Sequence, residues 1–274
     1  MYCYFNGKII PKNKAGLPID DIGILRGYAC FDFLRTYNGK IFLFNEHWQK
    51  IQKGLKFLGL NLPFTSKELK KIIQKLIQRN RLSEASIRLV FSGGKTINSL
   101  KFNPQKPTIF ILIDKPHKFP SHYYHKGVAL KTYNFKRRYP EIKITNYFEA
   151  VRLMNRLPYK NFHDVLYCWD NKILEASTAN FFLIKKGTLT TPLKDVYLGT
   201  TRNLVLKLAK KNFPIREQNI YLSDLKKAEE AFITSTSRGI MPVTKIDNQK
   251  IGSGKVGEKT KYLITIFKKI TQSY

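Results

Sequence analysis

Tight-turn dipeptides cut this chain into hairpins, and they constrain its fold more than any other local signal. Asn6-Gly7 separates Cys3-Tyr4-Phe5 from Lys8-Ile9-Ile10, and Asn38-Gly39 separates residues 31–37 from residues 40–44. Asn and Gly tolerate the positive φ that a two-residue hairpin turn requires, so each dipeptide predicts a pair of antiparallel strands. Helical patterns follow. Residues 47–58 place Ile51, Leu55 and Leu58 on one face. Thr65 and Glu68 have the spacing of a capping box, and Leu69, Ile72, Ile73, Leu76 and Ile77 follow at helical intervals. Residues 86–92 and 108–113 read as apolar strands. The expectation is an α+β domain over residues 1–114, an ordinary domain size.

Residues 115–124 are rich in Pro, His and Lys and break every periodic pattern, so they are the expected linker. Residues 125–274 form the expected second domain. There, short strands are predicted at 165–168, 172–175, 181–184 and 188–191, with turns at Asp170-Asn171 and Lys186-Gly187. That succession predicts an antiparallel meander. A helix starting near Thr201, a strand at 231–234 and a closing helix at 258–270 complete the pattern.

The net charge of +30, from 49 basic and 19 acidic residues, invites a nucleic-acid reading. The basic residues are scattered over solvated faces, however, as in Lys67, Lys70, Lys71, Lys75 and Arg79. No nucleic-acid motif accompanies them, so no specific nucleic-acid partner is expected. The three cysteines lie far apart without a CxxC spacing, which argues against a disulfide framework or a zinc site. His122 and His125 have no further ligands nearby in sequence, and no metal is expected. No apolar run approaches a membrane span and no signal-peptide core is present, so a cytoplasmic setting is expected. Gly252 to Gly257 fits GxGxxG, but only 17 residues follow, too few for a dinucleotide-binding unit.

Chemistry concentrates elsewhere. Lys143 lies in Ile142-Lys143-Ile144-Thr145-Asn146-Tyr147, and Glu175 in Glu175-Ala176-Ser177-Thr178-Ala179-Asn180. A partly buried lysine can form a Schiff base with an aldehyde cofactor. A carboxylate at a strand end can keep a pyridine nitrogen protonated and make the ring an electron sink, the chemistry of pyridoxal phosphate. Leu198-Gly199-Thr200-Thr201-Arg202 precedes a helix, and a Gly turn followed by Thr hydroxyls suits a phosphate. Ser235-Thr236-Ser237 follows a strand and offers more hydroxyls.

Together with Asp21-Ile22-Gly23, Gly27-Tyr28-Ala29-Cys30-Phe31-Asp32 and Asn45-Glu46-His47, these segments resemble the class IV aminotransferases in order and spacing. That group includes branched-chain and D-amino-acid aminotransferases and aminodeoxychorismate lyase. The resemblance spans nearly the whole chain. It implies an α+β, two-domain fold type IV architecture like that of D-amino-acid aminotransferase. A smaller N-terminal α/β domain and a larger C-terminal β-rich pseudo-barrel would hold pyridoxal 5'-phosphate in the cleft between them. It implies a homodimer acting on an amino acid and a keto acid, with a branched-chain amino acid and glutamate as the leading pair.

By the same resemblance, Lys143 is the Schiff-base lysine and proton shuttle, and Glu175 the partner of the ring nitrogen. Thr200, Thr201, Ser235 and Thr236 are phosphate ligands, and Tyr147 lies near the cofactor's 3′ oxygen. Lys50 stands where the family usually has a phosphate-binding Arg, and Asp32 where it usually has Glu. Ser92-Gly93-Gly94 lacks the carboxylate-binding Arg of the D-amino-acid branch. Arg35 and Arg88 become the candidates for the substrate carboxylate, and Phe31, Phe33 and Tyr147 for its side chain. The alternatives are aminodeoxychorismate lyase, a D-amino-acid aminotransferase, or a basic nucleic-acid-binding protein that keeps the fold without catalysis.

Overall fold

Asn6 and Gly7 both take positive φ, 42° and 93°, and the chain reverses between β1 (Tyr2–Phe5) and β2 (Lys8–Pro11). The computed structural model describes residues 1–156 and 161–274. Its contacts define two units: Met1–His117 with Ile142–Asn146 and Tyr274, and Lys118–Glu141 with Tyr147–Ser273. The change of unit falls inside residues 115–124. Ile142–Asn146 belongs with the first unit, although it lies within the stretch expected to form the second.

The first unit continues with α1 (Ile22–Arg26), β3 (Ala29–Tyr37), β4 (Lys40–Ile41), α2 (Phe44–Leu58), α3 (Ser66–Arg79), β5 (Ser86–Ser92), β6 (Thr96–Asn98), β7 (Lys101–Phe102) and β8 (Thr108–Asp114). Its main sheet has the order β2-β1-β8-β5-β3-β4. The alternation along β3 is clean: Asp32, Leu34 and Thr36 are buried, and Phe31, Phe33, Arg35 and Tyr37 are half-buried. Leu34 packs with Ile87, Leu89 and Ile111 of the sheet and with Leu69, Ile73 and Leu76 of α3. The capping box of α3 is formed: Thr65 Oγ1 accepts from Glu68 N at 3.3 Å, and Glu68 Oε2 accepts from Thr65 N at 2.7 Å.

One predicted strand is shorter than expected. Residues 40–44 are extended only at Lys40–Ile41, because Leu43 turns left-handed at φ 51° and Phe44 becomes the first residue of α2. This turn sends the Phe44 ring into the core.

The second unit comprises α4 (His122–Lys126), β9 (Val128–Asn134), α5 (Phe148–Met154), β10 (Asp164–Trp169), β11 (Lys172–Ala176), β12 (Ala179–Lys185), β13 (Thr188–Thr191), α6 (Thr200–Ala209), β14 (Ile215–Glu217), β15 (Ile220–Tyr221), β16 (Glu230–Ser235), β17 (Gly239–Ile246), β18 (Gln249–Lys250) and α7 (Glu258–Ser273). The predicted meander from β10 to β13 is antiparallel throughout. Strands β12, β16, β17, β9, β10 and β11 pair in sequence, and β11 pairs back to β12, so six strands close into a barrel. Closure removes the exposed edges that an open sheet of this length would present. Leu130, Leu166, Ile173, Phe181, Ile233 and Met241 form part of its apolar core.

His122 and His125 lie on α4. Among the described residues, no group of His, Cys, Asp and Glu is placed to hold a metal ion. Among the same residues, no helix is long and apolar enough to cross a membrane.

Gly94 takes φ 79°, and a Cβ there would overlap the Lys106 carbonyl oxygen. Gly94→Ala is therefore expected to cost more stability than Thr65→Ala, whose lost cap is worth about 1 kcal/mol. Urea unfolding of both variants beside the parent protein checks that order.

Candidate active site

Glu175 owes its orientation to a bulge in the barrel. Leu166 pairs with Ala176, and Cys168 with Ile173, so β11 carries one residue more than β10 across that interval. Ile173 and Ala176 consequently both join the barrel core, whereas Leu174 packs in a separate cluster with Val165 and Tyr167. A bulge of this kind re-aims a side chain. Glu175 then lies directly opposite Asn180 on β12, and Asn180 directly opposite Thr234 on β16. Directly paired residues share a sheet face, so a carboxylate, an amide and a hydroxyl form one row across three strands.

Each member of the row has defined surroundings. The Glu175 carboxylate is buried and accepts from Arg137 Nε at 2.8 Å, from Arg137 Nη2 at 2.6 Å and from Tyr197 N at 3.0 Å. Burial alone would make the Arg137 guanidinium less basic. The neighbouring Glu175 charge and the Tyr147 phenol reverse this and raise its pKa above the ordinary arginine value. Asn180 Nδ2 donates to the Tyr197 carbonyl, and its Oδ1 accepts from Gly199 N at 3.1 Å. A Cβ at Gly199 would overlap that oxygen, so only glycine permits the approach.

Gly199 is the N-cap of α6 and has no side chain to cap its first N–H groups. Thr200 and Thr201 open the helix and are buried. Among the described residues, Thr200 Oγ1 and Thr234 Oγ1 are buried without a hydrogen-bond partner. Buried hydroxyls are rarely left unsatisfied, and an uncapped helix N-terminus attracts anions. Ser235 ends β16 and Thr236 follows in the turn to β17. Ser235 Oγ lies 3.2 Å from Ser237 Oγ.

In the first unit, the strand-like run around Lys143 is pinned to β3. Phe31 N donates to the Lys143 carbonyl at 2.9 Å, and Thr145 N to the Ala29 carbonyl at 3.0 Å. Lys143 Nζ then lies 3.9 Å from Asp32 Oδ1 and 5.2 Å from the centre of the Phe31 ring, with the lysine side chain 25% exposed. Asp32 is buried, and its Oδ2 lies 2.7 Å from His47 Nδ1. Burial alone would raise the Asp32 pKa. The His47 charge and hydrogen bond, with Lys143 nearby, hold it below the usual value instead. An ionised carboxylate only accepts, so His47 Nδ1 carries the shared proton.

The other predicted residues are placed as follows. Lys50 is half-buried on α2, one turn beyond His47. Phe31, Phe33 and Arg35 alternate on the face of β3 opposite Asp32, and the exposed Arg88 lies across from Phe33 on β5. Arg35 stacks over the Tyr37 ring at 4.2 Å, with its Nε buried and, among the described residues, without a partner. Tyr147 is the N-cap residue of α5 in the second unit.

The model of the family "Amino-transferase class IV" matches residues 29–246. A protein of Methanocaldococcus jannaschii named "Putative branched-chain-amino-acid aminotransferase" is 33% identical, over 98% of this chain and 96% of that protein. A D-alanine aminotransferase of Staphylococcus epidermidis is 27% identical, over 99% and 98%. The crystal structure of the Escherichia coli branched-chain amino acid aminotransferase has the same fold, with a TM-score of 0.92 at 22% identity, covering 99% of this chain and 95% of that one. The chain belongs to the class IV aminotransferases.

Enzymes of this family depend on pyridoxal phosphate, which gives the row on the second unit a chemical context. Two features of this class IV chain escaped the sequence reading. Arg137 is 38 residues from Glu175, and nothing local distinguishes it from the adjacent Arg138. The Asp32–His47 pair joins two residues noticed only as parts of separate motifs.

Removing one partner of a buried ion pair leaves an uncompensated charge, so Arg137→Met is expected to cost about 3 kcal/mol. Adding Glu175→Gln should recover part of that loss. Urea unfolding of the single and double variants tests this, and equal losses would mean that only packing was removed. Asp32 generates a pH prediction. Its folded pKa is lowered, so its contribution is present above the ordinary value of 3.8 and disappears as pH falls through the lower folded value. Asp32→Asn should flatten the acid limb of a thermal-stability profile run from neutral to about pH 3.

Proposed function

We propose that this class IV enzyme moves an amino group between a branched-chain amino acid and a 2-keto acid, with glutamate and 2-oxoglutarate as the second pair. Pyridoxal 5'-phosphate is its cofactor, and it works as a homodimer. The observation that carries this reading is the Glu175–Asn180–Thr234 row. A charge-paired carboxylate at one end and an uncapped helix N-terminus with orphaned hydroxyls at the other suit a ring nitrogen and a phosphate.

Pyridoxal phosphate supplies an aldehyde that takes up an amine and a protonated ring that accepts the electron pair of the α-carbon. Glu175 would hold the proton on the ring nitrogen, and Arg137 orients the carboxylate for that role. Thr200, Thr201, Ser235 and Thr236 would bind the phosphate, with Lys50 as the candidate for added charge. Lys143 would provide the amine that holds the aldehyde. With the cofactor bound, Lys143 Nζ would also move the proton taken from the substrate α-carbon. Asp32, fixed by His47, orients Lys143. Tyr147 would hold the cofactor's 3′ oxygen. Phe31 and Phe33 receive the apolar side chain, and Arg35 or Arg88 the carboxylate. The branched-chain assignment draws on these aromatic residues and on the name of the M. jannaschii relative.

Borohydride reduction of the purified holoenzyme, followed by peptide mapping, should place a single pyridoxyl adduct on Lys143. An adduct on another lysine, or none with excess cofactor, would overturn the assignment. Lys143→Ala should lower kcat by about 10²–10⁴-fold. Turnover with L-leucine should require a keto-acid acceptor. Pyruvate release from aminodeoxychorismate without one would identify a lyase, and a preference for D-alanine would identify the D-amino-acid branch.

A further inference from the structure

A second polar cluster lies at the end of the barrel that carries the Ser235–Thr236 turn. Asp164, the first residue of β10, is 1% exposed, and donors converge on its carboxylate. Oδ1 accepts from Val165 N at 2.8 Å and from Ser177 Oγ. Oδ2 accepts from Thr178 Oγ1 at 2.9 Å and from Arg238 Nη2 at 3.2 Å. A buried carboxylate is tolerated only when paired and hydrogen-bonded in this way.

Arg238 is held along its length. Nη1 donates to Thr178 Oγ1 at 2.9 Å and lies 3.4 Å from Ser235 Oγ, while Nε donates to His163 Nε2 at 3.0 Å. Its backbone N donates to Ser235 Oγ at 3.3 Å, and its carbonyl accepts from Tyr124 Oη at 2.9 Å. The guanidinium carbon lies 5.5 Å from the centre of the Phe119 ring. His163 is suited to accept: burial and the Arg238 charge lower its pKa to about 4, so its ring stays neutral near pH 7.

These bonds link two turns. Ser177-Thr178 connects β11 to β12, immediately after Glu175 and Ala176, while residues 236–238 connect β16 to β17. Strands β12 and β16 are neighbours, so the turns lie side by side at one end of the barrel. We propose that Arg238, anchored on Asp164, is a positioning residue that fixes the Ser235–Thr236 turn for the cofactor phosphate. It is not itself a phosphate ligand. Its charge is matched by Asp164, and most of its five N–H donors are occupied by His163, Thr178, Ser235 and Asp164. The proposal rests on the reading that Ser235 and Thr236 hold the phosphate.

The test titrates apoenzyme with pyridoxal phosphate and, separately, with pyridoxal, which lacks the phosphate. Binding is followed by visible absorbance, and the apoenzyme unfolding midpoint is recorded alongside. Arg238→Ala should raise the Kd for pyridoxal phosphate about tenfold, the loss of roughly one net hydrogen bond. The Kd for pyridoxal should stay within about twofold, and Arg238→Lys should fall between the parent and Arg238→Ala. Equal weakening toward both ligands, or no weakening toward either, overturns the positioning role. A parent enzyme that binds the two ligands equally well overturns the underlying phosphate reading instead. If Arg238→Ala does not fold, Asp164→Asn is measured in its place. It keeps the shape but removes the anchoring charge, and it must show the same selective loss.

Discussion

The register of β11, β12 and β16 is the constraint on which the second unit depends. Side chains alternate with a period of two, so a slip of one residue would send Glu175, Asn180 and Thr234 to the wrong face. Register in a flat sheet is weakly held. Here closure of the barrel holds it, because β11 must meet both β10 and β12. The bulge in β11 absorbs the mismatch between those two pairings. Without the extra residue, Ile173 and Glu175 would share a face, and the carboxylate would enter the apolar core beside Phe181 and Ile233.

Buried charge follows a similar economy. Acidic residues are scarce, 19 against 49 basic, yet several lie deep in the protein. Glu230 accepts from the backbone N–H groups of Lys259 and Thr260 at the start of α7, and Asp21 Oδ1 from Gly23 N and Ser92 Oγ at the start of α1, an ordinary capping role. Asp32, Asp164 and Glu175 instead meet His47, Arg238 and Arg137. An apolar pair of similar volume often stabilises a fold at least as well as a buried ion pair, so stability is a weak reason for such pairs. What these three share is position: one lies beside Lys143, one beside the Ser235 turn, and one is Glu175 itself. Each holds a polar group in one orientation, which an apolar contact does not do.

Local signals made much of this legible. Asn6-Gly7 and Asn38-Gly39 specified their hairpins because positive φ is a property of the turn residues themselves, and Thr65 with Glu68 specified the start of α3. Lys143, Glu175 and the two Thr-rich segments were legible through their order along the chain. What stayed hidden depends on distant partners. β17 contains Pro242, which weakens any strand reading. It is tolerated because β9 pairs with β17 only from Val243 onward, leaving Pro242 a neighbour on β16 alone. The parallel pairing of β9 with β10 and β17 is likewise absent from any local pattern. Arg137 and Arg238 are indistinguishable in sequence from the many solvated cations of this chain until the fold brings a carboxylate to each.

Lys50 illustrates how such a departure can be compatible with the proposed chemistry. A lysine gives a compact charge without the planar fork of arginine, so it supplies attraction but little direction. Direction can come from other donors. Among the described residues, the N-cap of α6 makes no side-chain cap and Thr200 Oγ1 is buried without a partner. Hydroxyls and backbone N–H groups are directional, and they point wherever β12, β16 and the Gly199 turn hold them. With direction supplied by the barrel, the cation needs only to contribute charge. On the proposed reading, precision in phosphate binding would reside in Gly199, Asn180 and the Asp164–Arg238 link.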